Sequence, residues 1–204
     1  MGTTERKQRQ KEEVYESILT AAWKLVKEDG WQGLSIRKIA EAIEYSIPVI
    51  YDHFENKEAI LTEFTRQGFR LLNQSLVSHG KPLSDPAQQL REVTFAYWDF
   101  AFQNPEFYQL MYGMGMPSCE TVNEMKEVKA LAETLRNTVN NLYPPGKIDE
   151  GESFVKMKSF WSMLHGLVSI HMMAREKEKP DINDAVLNES VNNFLSGIFQ
   201  ANNY

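Results

Sequence analysis

The sequence predicts an all-α protein of about nine helices, with a small three-helix head at its N-terminus joined to a larger helical domain. Three observations predict it. A 3.6-residue apolar period runs through most of the 204 residues, and alternation of β-branched residues never runs far enough for a strand. Glycine and proline fall between those periodic segments, at Asp29-Gly30, Asp85-Pro86, Asn104-Pro105 and Tyr143-Pro144-Pro145-Gly146. Hydrophobic residues make up 42% of the chain and charged residues 25%, which is enough apolar material for a sizeable core.

The helices follow in order. Val14, Ile18, Ala21 and Leu25 form one stripe of a first helix over 9–28. Asp29-Gly30 ends it, because glycine takes a left-handed stop without a Cβ penalty. Ser35 is a good N-cap for helix two, whose apolar face is Ile36, Ile39, Ala40 and Ile43. Glu44-Tyr45-Ser46 is a break. Ser46 is placed to cap helix three, which tolerates Pro48 in its first turn and turns Ile47, Ile50 and Phe54 inward. Asn56 caps helix four, which carries Ile60, Leu61, Phe64, Leu71 and Leu72. Lys81-Pro82 and Asp85-Pro86 mark a loop before a helix over 87–103. Asn104-Pro105 starts a short helix that fades by Gly113-Met114-Gly115. Pro117-Ser118 opens another, with Val122, Met125, Val128, Ala132, Leu135, Val139 and Leu142 in period. Two last helices fit 153–177 and 184–200, separated by a charged stretch ending at Pro180. The head is expected over 1–56 and the larger domain over 57–204, with helix four as the link.

Bulk properties exclude several classes. No apolar run reaches the ~20 residues of a membrane span. The polar start, Met1 to Lys11, is not a signal peptide, and Cys119 stands alone, so neither an internal disulfide nor a multi-cysteine metal site is expected. These features together point to the cytoplasm. The net charge of -6 does not favour nucleic-acid binding by itself, so any phosphate-binding surface must be local. One basic stretch exists at Arg6, Lys7, Arg9 and Lys11, against only Glu5.

Helices two and three are short, a three-residue turn joins them, and each is apolar on one side only. That is the spacing of a helix-turn-helix, whose second helix enters the major groove. An ordinary helical hairpin has the same periodicity, so periodicity leaves the two readings even. The charges favour the first. Arg37 and Lys38 lie in the first turn of helix two and Lys57 in that of helix four, where the helix dipole disfavours bases by ~0.3–1 kcal/mol each. Bases beside free backbone N–H groups make anion sites, and a DNA phosphate is a natural occupant.

The stretch from Ser35 to Leu61, SIRKIAEAIEYSIPVIYDHFENKEAIL, resembles the TetR family of transcriptional regulators. The matching features are the hydroxyl residue opening helix two, Ile39-Ala40, Ser46, Tyr51, His53 and Phe54, then Lys57-Glu58 and Leu61. Helix one, with Gly30, extends the match. The resemblance implies a helix-turn-helix DNA-binding domain on a ligand-binding and dimerisation domain. It also implies a homodimeric repressor that binds a near-palindromic double-stranded DNA operator, is released by a small-molecule effector, and needs no cofactor. Carried over residue by residue, phosphate contacts fall on Ser35, Tyr51, His53 and Lys57, which Arg37 and Lys38 join on their charge. Groove contacts fall on the outward face of helix three, at Ile47, Pro48, Val49 and Asp52. Ile47 and Val49 can touch thymine methyls, and Asp52 can only accept, for instance from a cytosine amine.

Three positions depart from the family pattern. Glu44 stands where glycine is usual, at a site where positive φ costs a non-glycine residue free energy. Pro48 also replaces a frequent glycine. Asp52 brings a negative charge close to phosphates. No second His or Cys lies at ligand spacing from His53, so it reads as a phosphate donor or packing residue and no metal site is expected.

Beyond Gly80 the chain is rich in Met and aromatic residues. Most of them must be core, but Met adapts its shape and aromatic rings supply flat apolar walls, so a ligand cavity is the sharper reading. Trp98, Phe102, Phe107, Met111, Tyr112, Trp161 and His165 are its candidate lining, and the irregular stretch from Met111 to Met116 suits a rim. The segment Phe160-Trp161-Ser162-Met163-Leu164-His165-Gly166 resembles the Trp-His-Gly type of C-terminal domain in part of the family, and Asn104 to Met111 resembles its short mid-domain helix. His165 and His171 read first as satisfied core or interface residues, and second as polar ligand contacts. Gly166 inside a strong helix costs roughly 1 kcal/mol against Ala, which a close helix crossing or a ligand explains. Phe154, Met157, Trp161, Leu164 and Val168 give one wide apolar face. Leu187, Val191, Phe194, Leu195, Ile198 and Phe199 give another. By resemblance these last two helices form the homodimer interface. A helical small-molecule binding protein without DNA activity is the alternative, on the acidic net charge, Glu44 and Asp52. An enzyme finds no support, since there is no Gly-rich phosphate loop, no G-x-S-x-G and no His pair at metal spacing.

Overall fold

The computed structural model describes residues 3–80, 85–113, 124–173 and 180–201. Among the described residues there are nine helices and no strand, as the periodicity predicts. They are α1 (Thr3–Gly33), α2 (Ile36–Ala42), α3 (Ile47–Tyr51), α4 (Lys57–His79), α5 (Pro86–Gln103), α6 (Pro105–Tyr112), α7 (Lys126–Asn140), α8 (Glu150–Met173) and α9 (Pro180–Ala201).

Several boundaries differ from expectation. α1 begins at Thr3 and does not stop at Asp29-Gly30: Gly30, at φ 69 and ψ 177, kinks it, and a further turn follows to Gly33. That turn is held by Trp31, whose Nε1 donates to the Glu106 carbonyl at 2.7 Å. α7 does not run from Pro117-Ser118, because Met125 is extended at φ -64 and ψ 129 and the helix starts at Lys126. α8 starts earlier than Ser153 because Asp149 supplies a cap, its Oδ1 accepting from Glu152 N at 2.9 Å. The expected loop residues Lys81-Pro82, the Met114 and Met116 of the expected rim, Pro117-Ser118, Cys119 and Val122, and the charged stretch 174–179 lie outside the described residues.

The chain forms two compact units, Met1–Gly68 with Pro105–Val122, and Phe69–Asn104 with Asn123–Tyr204, so α4 contributes to both. In the first unit Val14, Ile18, Ala22 and Val26 of α1 are buried with Ile39, Ala40, Ile50, Phe54, Ile60 and Phe64. Ala21 and Leu25 are only half-buried, because the core face drifts one residue along the helix from the expected stripe. α6 closes this core: Phe107 stacks on Trp23 at 4.3 Å, and Lys27 pairs with Glu106 at 2.8 Å.

The second unit buries Leu72 and Leu76 of α4 with Leu90, Val93, Tyr97 and Phe100 of α5, Leu131, Leu135 and Val139 of α7, and the inner faces of α8 and α9. Each such side chain contributes about 1.5–3 kcal/mol by leaving water. Leu71, expected inside, is exposed. α8 buries Met157, Phe160, Leu164 and Val168. The face read from the sequence splits, however: Phe154 is exposed and Trp161 half-buried, while Val155, Ile170 and Met173 also face outward. α9 buries Leu187, Val191, Leu195 and Ile198 and exposes Phe199. A Cβ placed on Gly166 or Gly197 meets nothing within 4 Å, so no close crossing within the chain explains either glycine.

Candidate nucleic-acid interface

The α2–turn–α3 segment is fixed by local chemistry. Ser35 is extended, at φ -144 and ψ 149, and its Oγ accepts from Lys38 N at 3.2 Å, which caps α2. Its own hydroxyl hydrogen stays available to an outside acceptor. α2 ends in a Schellman motif: Tyr45 N donates to the Ala40 carbonyl at 3.0 Å and Glu44 N to the Glu41 carbonyl at 3.3 Å. Glu44 holds the left-handed position of that motif at φ 59, the cost anticipated from its place in the sequence. Ser46 stands at the N-cap position of α3 but makes no side-chain cap hydrogen bond, contrary to expectation, and Pro48 occupies the first turn.

α3 lies half in and half out. Ile50 is fully buried and Phe54 nearly so, and Tyr15 stacks on Phe54 at 5.0 Å, which pins the end of α3 to α1. Ile47 was given both an inward and a groove-facing place, and at 40% exposure it takes the second. Pro48 and Asp52 are exposed, Tyr51 is 52% exposed and Val49 is half-buried. The outward face of α3 is therefore apolar at its start and carries a phenol and a carboxylate at its end.

Around this face stand hydrogen-bond donors and cations. Arg37 is fully exposed, and Glu41, by hydrogen bond and charge, holds its guanidinium protonated above the ordinary range. The pair lies at 2.8 Å, and Lys38 Nζ pairs with Asp29 Oδ2 at 2.7 Å. Both bases must exchange a carboxylate for any phosphate, which reduces their net gain. Lys57, in the first turn of α4 behind the Asn56 cap, has no ion pair among the described residues. His53 is half-buried. Burial, with the positive charge of Lys11 added, lowers its pKa below the ordinary value, while Asp52 pulls the other way. Its ring is neutral near pH 7 and offers one N–H.

The ten predicted DNA-binding residues thus fall on one short stretch from the start of α2 to the start of α4. Tyr45 was missed. It is 45% exposed on the turn, and with Arg6, Arg9 and Gln10 of the first turns of α1 it lines a groove of about 440 Å³. Its signal was present as a large aromatic residue in a tight turn with no apolar period to place it inside. No cluster of three or more His, Cys, Asp or Glu at metal-binding geometry occurs among the described residues.

Residues 18–64 match the family model of bacterial regulatory proteins of the tetR family, and residues 90–193, just over half of the chain, match the tetracyclin repressor-like C-terminal domain. The chain belongs to the TetR family. The HTH-type transcriptional repressor NicS of Pseudomonas putida is 29% identical over 96 residues, 47% of this chain and 45% of that protein, so the match spans less than half of that relative. Two solved structures share the fold. The regulatory protein SCO4313 superposes with a TM-score of 0.75 at 19% identity, covering 93% of this chain and 98% of that one. FadR from Bacillus subtilis, solved in complex with stearoyl-CoA, gives 0.70 at 19% identity, covering 90% and 98%. TetR-family members are helix-turn-helix transcriptional regulators, not enzymes. No helix among the described residues is long and apolar enough to cross a membrane.

The seven candidate ligand residues divide between the units. Phe107, Met111 and Tyr112 lie on α6 in the first unit, where Phe107 and Met111 are buried and Met111 lies against Gly68. Trp98 and Phe102 lie on α5, and Trp161 and His165 on α8, in the second unit. Trp98 meets Phe102 at 4.7 Å and the edge of His171 at 4.9 Å. Lys158 Nζ lies 5.0 Å from the Trp161 ring, and burial lowers the pKa of His165.

Proposed function

We propose that this TetR-family regulator is a repressor that binds a near-palindromic DNA operator as a homodimer and is released by a small-molecule effector. One observation carries the DNA reading: α3 is anchored by Ile50 and Phe54 while Ile47, Pro48, Tyr51 and Asp52 stand exposed beside it. In this reading Ser35, Arg37, Lys38, Tyr51, His53 and Lys57 hold phosphates and fix register, and Ile47, Pro48, Val49 and Asp52 meet base edges. A chromosomal operator places the protein in the cytoplasm.

The homodimer rests on α8 and α9. Val155, Ser159, Ser162, Gly166, Ile170 and Met173 recur at three- and four-residue steps along one uncharged face of α8, and all are exposed except the half-buried Gly166. The open space at Gly166 and Gly197 lets a second copy approach closely. Two α3 helices then lie about one DNA turn apart, ~34–36 Å, and read two half-sites. For effector contact we retain Trp98, Phe102, Trp161 and His165. Phe107, Met111 and Tyr112 serve the first unit, where the first two are core. The Trp-His-Gly subtype is retained on Trp161, His165 and Gly166.

A second reading, a helical binding protein that has lost DNA affinity, is favoured by exposed Asp52 among the phosphate donors. Selection from a pool of random duplexes separates the two. The repressor reading predicts enrichment of a near-palindrome with steep salt dependence. Recovery of no preferred duplex at low salt supports the second reading instead.

A further inference from the structure

A groove of about 580 Å³ opens on the second unit where the last turns of α4, the start of α5 and the end of α7 meet. That volume lies within the range of small-molecule sites. Its chemistry is unusual for a helical surface. Of its ten lining residues eight carry an amide or a hydroxyl, and none carries a charge. The two pairs of elements are tied by one chain of amides: Gln89, itself buried, donates from Nε2 to the Gly80 carbonyl at 2.7 Å and accepts on Oε1 from Asn141 Nδ2 at 3.0 Å. The groove wall is thereby rigid before any ligand arrives.

The remaining hydrogen-bonding capacity is lopsided. Thr138 Oγ1 donates to the Thr134 carbonyl at 2.9 Å and Thr134 Oγ1 to the Ala130 carbonyl at 3.1 Å, so both hydroxyl hydrogens are used by their own helix and the lone pairs are left. Asn141 gives its Nδ2 to Gln89 and keeps its Oδ1. Asn73 Oδ1 is buried with no hydrogen-bond partner. A buried carbonyl oxygen without a donor is a standing cost, and an incoming O–H or N–H removes it.

We propose that this groove is a binding site for an uncharged, hydroxyl-rich small molecule of the polyol or saccharide class. It is separate from the effector contacts on α5 and α8, with which it shares no residue. A surplus of acceptors calls for a donor-rich ligand. The absence of any charged residue in the lining disfavours an ion of either sign, which would be desolvated without a counter-charge. The absence of an aromatic ring in the lining disfavours a flat base that binds by stacking.

Calorimetric titration of the full chain with glucose, galactose, maltose and trehalose tests this, with adenosine and choline as flat and cationic comparison probes. The expected result is saturable binding of at least one saccharide and of neither comparison probe. Asn73→Leu and Thr138→Val should each weaken it by ~10-fold, the loss of about one hydrogen bond. Asn73→Leu should also raise the melting temperature of the unliganded protein, since it removes the unpaired oxygen. If Asn73→Leu fails to fold, Thr138→Val decides alone. No saturable heat from any of the four sugars, equal binding of adenosine or choline, or undiminished affinity in the variants would each overturn the proposal. The titration contains no DNA, so its outcome is independent of the operator reading.

Discussion

The head and the larger unit expose different materials. On α2 and α3 the exposed residues are hydroxyls, bases and a phenol, each held by bonds a few residues long: the Ser35 cap, the Glu44 turn, the Tyr15–Phe54 stack. On α8 and α9 the exposed residues are apolar, with Ile170 at 62% and Met173 at 74% exposure, and no local bond accounts for them. The head is complete in one copy and lacks only an acceptor for its donors. The larger unit leaves a continuous uncharged face unused, which a monomer has no physical reason to keep.

The largest effect should come from breaking that second face. Ile170→Glu places a charge on the α8 stripe without touching the core, so the chain should remain helical but sediment as a monomer. Operator affinity should fall ~100-fold or more, since two linked half-site contacts become one. An intact dimer in sedimentation would remove the basis of the comparison. Lys57→Ala acts on the head. Having no carboxylate partner to lose, Lys57 should contribute a full phosphate contact. Its removal should weaken all duplexes alike and lower the slope of log affinity against log salt by about 1.

Smaller effects sharpen the same contrast. Glu44→Gly should raise stability in urea titrations by about 1 kcal/mol, because glycine takes φ 59 without strain. It should leave the recovered duplex unchanged. His165 marks the other unit. Burial holds its folded pKa below 6.5, so the unfolded chain binds the proton more readily. Its contribution to stability is full above about pH 6.5 and is lost as pH falls through the folded value. His165→Asn should flatten the decline in melting temperature between about pH 7 and 5. The residual decline should include His53, whose pKa is shifted in the same direction.

What could be read in advance follows the same division. Ser35, Asn56 and Asp85 announced their helices because a cap is a bond to a backbone N–H two or three residues away. Glu44 was marked because its conformation is set by the turn and not by anything distant. Phe107 and Met111 misled because α6 returns from far along the chain to pack on Trp23 and Gly68, a contact with no local signature. The amide groove was illegible for the same reason. Asn73, Gln89 and Asn141 are ordinary surface residues in sequence and become a site only when three helices converge. Ile47 was ambiguous because on a five-residue helix one position of period does not separate inside from outside.

The central claim is that the outward face of α3 reads bases while the donors around it only fix position. Duplex selection with the wild-type chain, Asp52→Asn and Lys57→Ala measures it directly. The account predicts that Asp52→Asn recovers a different preferred base in each half-site, because a pure acceptor gains a donor, and that Lys57→Ala recovers the wild-type site with weaker affinity throughout. Identical sites from wild type and Asp52→Asn, with a changed site from Lys57→Ala, would contradict it.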